Sequence, residues 1–396
     1  MEFEELLATR TERMSVSAIR EILKVVSQPG MISLAGGIPA LESFPLEIME
    51  ELVAKVFSKY GALSLQYDRT EGFLPFVEAL VPFLANKQIR TSADKILVAS
   101  GSQGVLDAVG RVLISPGDKV AVESPTYLGA LQAFNPYEPN YVCLATDDDG
   151  LIPESLEEAL QKNAIKFIYL VPTFQNPTGR SIPLHRRIQI AEIIQRHHAL
   201  LLEDDPYSAL RYKGGELPPI ALFAPGNVIY TTTLSKVLAP GLRLCICVAP
   251  EAIRKWLVIV KQGVDLHTNT FSQALASEYL SGGYLERHLP KIINLYKPKQ
   301  GAMLQALKEF FPADFRWSNP EGGMFIWVEG RKGMDMETLY WKAAERNVVY
   351  VPGKFFFANS GEGFETMRLN YTMSDERTIR RAVQILSDVM KEASPA

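Results

Sequence analysis

The chain has 396 residues, enough for two domains, and its 47% hydrophobic and 22% charged residues are typical of a globular protein. A net charge of −4, from 41 basic and 45 acidic residues, argues against a nucleic-acid-binding surface, which is normally basic. No apolar run approaches the roughly 20 residues that span a bilayer, and the N-terminus is too acidic for a secretory signal. We therefore expect a cytoplasmic protein that contacts neither nucleic acid nor membrane.

Short apolar runs alternate with segments of helical spacing between residues 46 and 285. Most of the runs are continuous rather than alternating, which is typical of strands buried on both faces of a sheet. The alternation predicts a large α/β domain with a mostly parallel, doubly wound sheet. The last two runs are too close for a helical crossover, so one strand is predicted to be antiparallel. The predicted strands lie in 95–100, 119–124, 141–146, 166–172, 199–205, 227–233 and 242–250.

The pattern changes after residue 285 and predicts a smaller α+β domain over residues 286–396. An amphipathic stretch covers 289–311. It is followed by strand-like segments in 322–330, 348–356 and 367–372 and by helical segments in 336–346 and 375–390. Residues 1–45 contain no sheet-core run and are predicted to pack with this smaller domain. Three cysteines without a C-x-x-C motif or a Cys/His cluster indicate neither disulfides nor a metal site.

Polar clusters follow five of the predicted strands. In open α/β sheets, ligands bind beyond the carboxyl ends of the strands, so five such clusters are more consistent with one pocket than with unrelated loops. The clusters are SGSQG (100–104), ESPTYLGA (123–130), QNPTGR (175–180), EDDPY (203–207) and TTTLSK (231–236).

Two clusters carry a charged residue at the end of a very apolar strand. Asp204 needs a cationic partner or good hydrogen-bond donors there, and a protonated ring nitrogen would serve; the alternative is a helix N-cap. Lys236, held in a partly dry pocket, has a lowered pKa and can form a Schiff base; the alternative is a surface lysine. Thr233, Ser235 and Arg243 supply donors for a phosphate.

The remaining clusters are weaker signals. Ser102 opens a helix whose N-terminus can bind an anion, or it simply caps that helix. Tyr127 can stack on a planar ligand or belong to the core. Asn176 lies in a turn fixed by Pro177 and Gly179 that presents its amide inward, although Asn-Pro turns are common.

Together these residues resemble the class I aminotransferases, pyridoxal 5'-phosphate (PLP) enzymes of the aspartate aminotransferase-like fold. The resemblance covers nearly the whole chain and rests on the order and spacing of Tyr127, Asn176-Pro-x-Gly179, Asp204-x-x-Tyr207, Ser235-Lys236 and Arg243. It implies that Lys236 forms the Schiff base with the cofactor and that Asp204 pairs with the pyridine nitrogen. It also implies a homodimer with shared sites, in which Tyr67 reaches the phosphate of the neighbouring subunit.

The same resemblance implies roles for the other site residues. Asn176 and Tyr207 match donors to the 3-oxygen of the cofactor, and Tyr127 matches the residue stacked on its ring. Arg368 matches the arginine that binds the substrate α-carboxylate, and Asn176 is also assigned to substrate binding. The residues that match phosphate-binding positions are Ser102, Gln103, Thr233, Ser235 and Arg243.

The N-terminal segments 15–23 and 31–45 are similar to the 2-aminoadipate/kynurenine aminotransferase group. There Arg20 matches an arginine that recognises a distal carboxylate, and Gly37 matches a backbone contact to the substrate. Ile38, Tyr67 and Phe355 are candidates for an apolar lining that suits broad specificity. The resemblance implies ping-pong transfer of the amino group from 2-aminoadipate, aromatic or branched-chain L-amino acids to 2-oxoglutarate.

Two alternatives to an aminotransferase remain. A PLP lyase or decarboxylase of the same fold has nearly the same cofactor site, because the choice of reaction depends on which Cα bond is aligned. A regulator that senses PLP without catalysis normally carries an additional N-terminal DNA-binding domain, for which we expect no room, since the motifs begin by residue 33.

Overall fold

The computed structural model describes residues 3–14 and 30–393. Its largest sheet has seven strands, and only Cys245–Val248 runs antiparallel to both of its neighbours. The predicted mostly parallel sheet with one antiparallel strand is therefore confirmed. The spatial order is Ile96–Ala99, Cys245–Val248, Val228–Thr233, Leu201–Asp205, Ile165–Leu170, Lys119–Glu123 and Asn140–Leu144.

Helices cover both faces of this sheet. Successive strand residues enter opposite apolar clusters: Tyr169 lies in one, and its neighbours Ile168 and Leu170 lie in the other. Two-sided burial explains why the strands are continuous apolar runs. Asn140–Leu144 differs, because it is an edge strand in which only Leu144 is fully buried. The helices are Leu46–Tyr60, Leu74–Asn86, Ser102–Leu113, Leu128–Phe134, Pro153–Lys162, Leu184–Arg196, Glu251–Gln262 and Thr270–Ser281.

A second, four-stranded antiparallel sheet forms after residue 310. Its strands, in spatial order, are Arg316–Trp317, Phe325–Glu329, Thr366–Asn370 and Val351–Pro352, and its helices are Met336–Glu345 and Glu376–Glu392. The single strand predicted in 348–356 is wrong. Val348–Val349 and Val351–Pro352 are separate short strands, and Gly353–Phe356 is a 3₁₀ turn. Pro352 has no N–H to extend a ladder, which limits the strand length.

The N-terminal segment joins the C-terminal part of the chain through backbone hydrogen bonds. Ile32–Ser33 pairs in parallel with Val348–Val349. The carbonyl of Leu34 then accepts the N–H of Asn370 at 2.8 Å. These bonds bring residues 34–38 to the edge of the small sheet, beside the loops of the large one.

Along the chain, the unbroken helix Tyr284–Phe310 lies after the last strand of the large sheet and before the first strand of the small one. It begins at the Gly282–Gly283 turn, five residues before the predicted stretch, and it contains Pro290 and Pro298. It therefore crosses the boundary that we predicted between residues 285 and 286, and the three domain ranges stay a prediction. Within the described ranges, no helix is both long enough and apolar enough to cross a membrane.

Candidate active site

Asp204 lies near the carboxyl end of the central strand Leu201–Asp205 and is 2% exposed. The hydroxyl of Tyr169, on the adjacent strand, donates to its Oδ2 at 3.0 Å, whereas Oδ1 has no hydrogen-bond partner among the described residues. Burial raises the pKa of Asp204 to about 7. A buried carboxylate oxygen without a donor is costly, and a cationic N–H from a ligand would offset that cost.

The carboxylates on either side of Asp204 face the opposite side of the strand and are fully paired. Glu203 accepts two backbone N–H groups at 2.9 and 2.8 Å. Asp205 accepts the hydroxyl of Tyr230 at 2.7 Å and pairs with Lys87 at 3.0 Å. Among these three acids, only Asp204 has a buried oxygen that no described residue contacts by a hydrogen bond.

Lys236 follows the strand Val228–Thr233 and is partly buried rather than a surface lysine. Its Nζ donates to the carbonyl of Gly37 at 3.0 Å. Burial, together with the positive charges of Arg368 and Arg243, lowers the pKa of Lys236 to about 8. The neutral amine needed for attack on a carbonyl is therefore accessible near neutral pH.

Arg243 is held against the start of the helix Ser102–Leu113. A Cβ atom at Gly101, whose φ is 88°, would lie 2.0 Å from Nη2 of Arg243, so only glycine leaves room for the guanidinium. Arg243 itself has a left-handed backbone, with φ of 55°. The helix N-terminus has no side-chain cap. A guanidinium beside uncapped backbone N–H groups can bind a phosphate.

We call Arg243 and the N-terminus of the helix Ser102–Leu113 the phosphate cradle. Two hydroxyl side chains, those of Thr233 and Ser235, lie at the strand end that precedes Arg243 in the chain. Thr233 Oγ1 lies 2.9 Å from Ser235 Oγ and 2.8 Å from the carbonyl of Leu244, the residue after Arg243. The amide of Gln103 donates to the carbonyl of Gly129 at 2.7 Å. These contacts fix the strand-end loops relative to one another.

The ring of Tyr127 packs against the first turn of the helix Leu128–Phe134. A Cβ atom at Gly129 would lie 2.4 Å from Cζ of the Tyr127 ring, so the ring occupies the space that a side chain would fill. Burial and the nearby negative charge of Asp204 raise the pKa of Tyr127. The phenol ring is thus a neutral, flat surface close to the free carboxylate.

Arg368 is a buried cation on the small sheet, 1% exposed. Its Nη1 donates to Oδ1 of Asn176 at 2.7 Å and its Nη2 to the carbonyl of Ala35 at 2.6 Å. Its guanidinium lies 4.3 and 5.0 Å from the ring centroids of Phe325 and Phe356. Both hydrogen-bond acceptors are neutral and Nε has no partner in the described chain. The guanidinium can therefore receive a ligand carboxylate.

Asn176 and Tyr207 join Arg368 to the Asp204 region. The Asn176 amide donates to the Tyr207 hydroxyl at 3.5 Å, and the Tyr207 ring meets Phe325 edge-on at 5.8 Å. Both residues are buried. Hydrogen bonds thus connect the clusters 175–180 and 203–207 of the large sheet to Arg368 on the small one.

Four predicted residues are not placed in this cluster. Phe355 is partly buried, and its ring lies 5.3 Å from Nζ of the adjacent Lys354. Tyr67 is 77% exposed and packs edge-on against His267, with ring centroids 5.7 Å apart. Ile38 is 47% exposed, although its carbonyl is held by Thr372 at 2.8 Å. Arg20 lies outside the described residues.

Several contacting residues were missed in the sequence, namely Tyr169, Ala35, Gly101, Phe325 and Phe356. Tyr169 lies in the run KFIYLVP and reads there as an ordinary core aromatic. Its register against Leu202, two residues before Asp204, puts it on the face of Asp204. The alternation of side chains along a strand could have placed Tyr169 beside Asp204, but only if the pairing of the two strands had been known.

Comparisons with known proteins identify the family of the chain. The model of the family "Aminotransferase class I and II" matches residues 31–386. An aromatic-amino-acid aminotransferase of Thermococcus litoralis is 45% identical over 400 residues, covering 99% of this chain and 95% of that protein. A Pyrococcus horikoshii kynurenine aminotransferase structure has a TM-score of 0.96 at 42% identity, covering 100% of this chain and 99% of that one.

One solved relative carries a pyridoxal derivative. The α-aminoadipate aminotransferase of Thermus thermophilus, complexed with N-(5'-phosphopyridoxyl)-L-leucine, has a TM-score of 0.92 at 37% identity and covers 99% of both chains. The predicted family, fold and cofactor are confirmed. The chain belongs to the class I and II aminotransferases and is an aminotransferase that uses PLP.

Proposed function

We propose that this aminotransferase takes the amino group from L-amino acids with aromatic, branched or 2-aminoadipate side chains and passes it to 2-oxoglutarate. The observation that carries the amino-acid assignment is Arg368, a buried guanidinium with neutral acceptors and an unpartnered Nε. A bidentate carboxylate satisfies such a group. The substrates named for the similar proteins, which are aromatic amino acids, kynurenine and α-aminoadipate, support the breadth.

The residues present fit PLP chemically. Oδ1 of Asp204 lacks a donor, which a protonated pyridine nitrogen provides. The cradle between Gly101 and Arg243 suits the phosphate. Asn176 and Tyr207 can donate to the ring oxygen, and Tyr127 offers a flat surface for the ring. When bound, PLP supplies an aldehyde for exchange with amines and a ring that draws electrons from Cα.

Each residue then has a separate task in the transfer. Arg368 would bind the substrate α-carboxylate and so fix the orientation of the bonds at Cα. Lys236 Nζ, with a pKa of about 8, could then accept the proton from Cα. Asp204 would hold the ring nitrogen of PLP through its Oδ1 and favour the protonated form of that nitrogen. The buried surroundings strengthen these charge interactions by excluding water.

We also propose a cytoplasmic homodimer with shared sites. The exposed residues Leu63, Leu65 and Tyr67, at 67%, 70% and 77% exposure, support a contact between subunits, since apolar side chains clustered on a surface favour association. Arg20 is proposed to recognise a distal substrate carboxylate.

Substrate kinetics test this assignment. With 2-oxoglutarate as acceptor, we expect kcat/KM for phenylalanine, leucine and 2-aminoadipate to lie within about a hundredfold of one another. An apolar pocket discriminates small differences in side-chain size by only about 1–3 kcal/mol, and Arg20 is proposed to accommodate the distal carboxylate of 2-aminoadipate. Activity with 2-aminoadipate alone would contradict the proposed breadth. An Arg20→Ala variant should lose the preference for dicarboxylates and keep kcat/KM for phenylalanine.

A further inference from the structure

The two oxygens of the Asp204 carboxylate have different surroundings. Oδ2 accepts the hydroxyl of Tyr169 at 3.0 Å, and Oδ1 has no partner among the described residues. Tyr169 is fully buried on the neighbouring strand Ile165–Leu170, and its ring meets that of Phe134 at 6.0 Å. The packed phenol of Tyr169 therefore holds Oδ2 of Asp204 in place and leaves Oδ1 available to a ligand.

This hydrogen bond acts on the charge of Asp204 as well as on its orientation. Burial disfavours the ionised carboxylate, and the Tyr169 hydroxyl is the only side-chain donor that the described residues give it. A hydroxyl bonded to an ionised acceptor stabilises that ionised form. Without the hydroxyl, Asp204 would be protonated more readily and its carboxylate would be free to turn.

We propose that Tyr169 is a positioning residue of the cofactor site, which keeps Asp204 ionised and directs Oδ1 at the pyridine nitrogen of PLP. The inference rests on the proposed pairing of Asp204 with that nitrogen. Tyr169 itself acts through Asp204 and is not assigned a contact with substrate or cofactor.

The adjacent residue pair provides a matched control. Tyr230 is 1% exposed and donates to Oδ2 of Asp205 at 2.7 Å, on the opposite face of the same strand. Tyr169→Phe and Tyr230→Phe thus each remove one buried phenol–carboxylate hydrogen bond in the same region of the sheet. The two variants differ in whether the affected carboxylate faces the cofactor site.

The test compares the binding of two probes to the apoprotein: PLP and its 1-deaza analogue, in which a C–H replaces the ring nitrogen. For Tyr169→Phe we expect the Kd of PLP to rise about tenfold or more, because a charge-assisted hydrogen bond is lost. The Kd of the 1-deaza analogue should change by less than about twofold, since that ring has no N–H for Asp204. Tyr230→Phe should change neither Kd by more than about twofold.

Further variants separate positioning from general destabilisation. In an Asp204→Asn background, adding Tyr169→Phe should leave the Kd of PLP unchanged, because the carboxylate through which Tyr169 acts is gone. Equal weakening of both probes in Tyr169→Phe would assign it a structural role and overturn the inference. So would a PLP affinity equal to that of Tyr230→Phe. If the wild-type protein binds both probes equally, the pairing of Asp204 with the nitrogen fails instead.

Discussion

The amine of Lys236 lies where burial and two guanidinium charges act in the same direction. Both influences disfavour the protonated form, and they lower the pKa of Lys236 to about 8. Its hydrogen-bond partner is a backbone carbonyl, that of Gly37, rather than a carboxylate that would stabilise the ammonium. The chain thus prepares a nucleophilic amine before any ligand binds.

The reactivity of Lys236 should follow this pKa. We expect the rate at which the apoprotein captures PLP covalently to rise with pH, with a midpoint near 8 rather than at the ordinary lysine value of 10.5. Removing one nearby charge, in Arg368→Gln, should move the midpoint to higher pH. Stopped-flow absorbance measures the rate, and borohydride reduction with peptide mass spectrometry locates the label.

Two controls accompany the measurement. Lys236→Ala should yield no borohydride-stable label, and a label there would assign the chemistry to another lysine. Arg111→Gln removes an exposed arginine that pairs with Asp107, and it should leave the midpoint unchanged. A wild-type midpoint near 10 would contradict the effect of burial.

Side-chain identities could be predicted where the chemistry follows directly from a strand end. Asp204 and Lys236 each follow a strongly apolar run, which made their charges conspicuous. Phe325 and Phe356 could not be found in this way. They are ordinary core aromatics in the sequence. The contact of Phe325 with Arg368 depends on strand register within the small sheet, where Phe325 pairs with Asn370, two residues from Arg368, and Phe356 approaches from the turn Gly353–Phe356.

The start of the helix Ser102–Leu113 depends on a single missing side chain. At Gly101 a Cβ would overlap the Arg243 guanidinium, whereas at Gly104, in the first turn of the same helix, a Cβ would meet nothing within 4 Å. The positive φ of Gly101 adds a backbone reason for glycine. The helix therefore offers a sensitive and an insensitive glycine three residues apart.

Alanine at these two glycines should have opposite effects. We expect Gly101→Ala to raise the Kd of PLP about tenfold or more through displacement of Arg243, a charged phosphate ligand. The Kd of pyridoxal, which lacks the phosphate, should change little. Gly104→Ala should leave both affinities intact and increase stability by up to about 1 kcal/mol through helix propensity. Titration of both probes and thermal melts measure these effects, and equal loss of the two ligands in Gly101→Ala would contradict a phosphate cradle.

Secondary structure could be predicted where apolar periodicity was unbroken and failed where local chemistry interrupted it. The parallel strands and the final helix lie within a few residues of their predicted positions. The prediction of one strand over 348–356 is wrong, because Pro352 and Gly353 end the strand although the apolar stretch continues. The predicted start of the helix Tyr284–Phe310, at residue 289, is five residues too late. A proline such as Pro290 is typical of the first turn of a helix, but here the helix continues through it.

Across the whole molecule, the N-terminal segment connects the two sheets over the site. Three carbonyls of this segment accept hydrogen bonds from different partners. The carbonyl of Leu34 accepts from the backbone of Asn370, that of Ala35 from the side chain of Arg368, and that of Gly37 from the amine of Lys236. These contacts join distant parts of the sequence, since Gly37 and Lys236 are 199 positions apart. Local patterns could predict that the segment packs near the small sheet, but not which carbonyl meets which cation.

Shared sites in a dimer would place Lys236 and Tyr67 of one site on different subunits. When inactive Lys236→Ala protein is mixed with Tyr67→Ala protein under conditions that exchange subunits, half of the dimers carry one intact site. We therefore expect up to about a quarter of wild-type activity to return. Light scattering should report a dimer for each variant and for the mixture.

Lys236→Ala and Asp204→Ala provide the control mixture. Both residues belong to the same site of the same subunit, linked along adjacent strands Leu201–Asp205 and Val228–Thr233. Their mixed dimers contain no intact site, so no activity should return. Recovery in this control would show that intact subunits contaminate the preparation. A monomer in solution, or a Tyr67→Ala mixture no more active than its unmixed components, would leave each site to its own chain and assign the exposed Tyr67 ring no part in the neighbouring site.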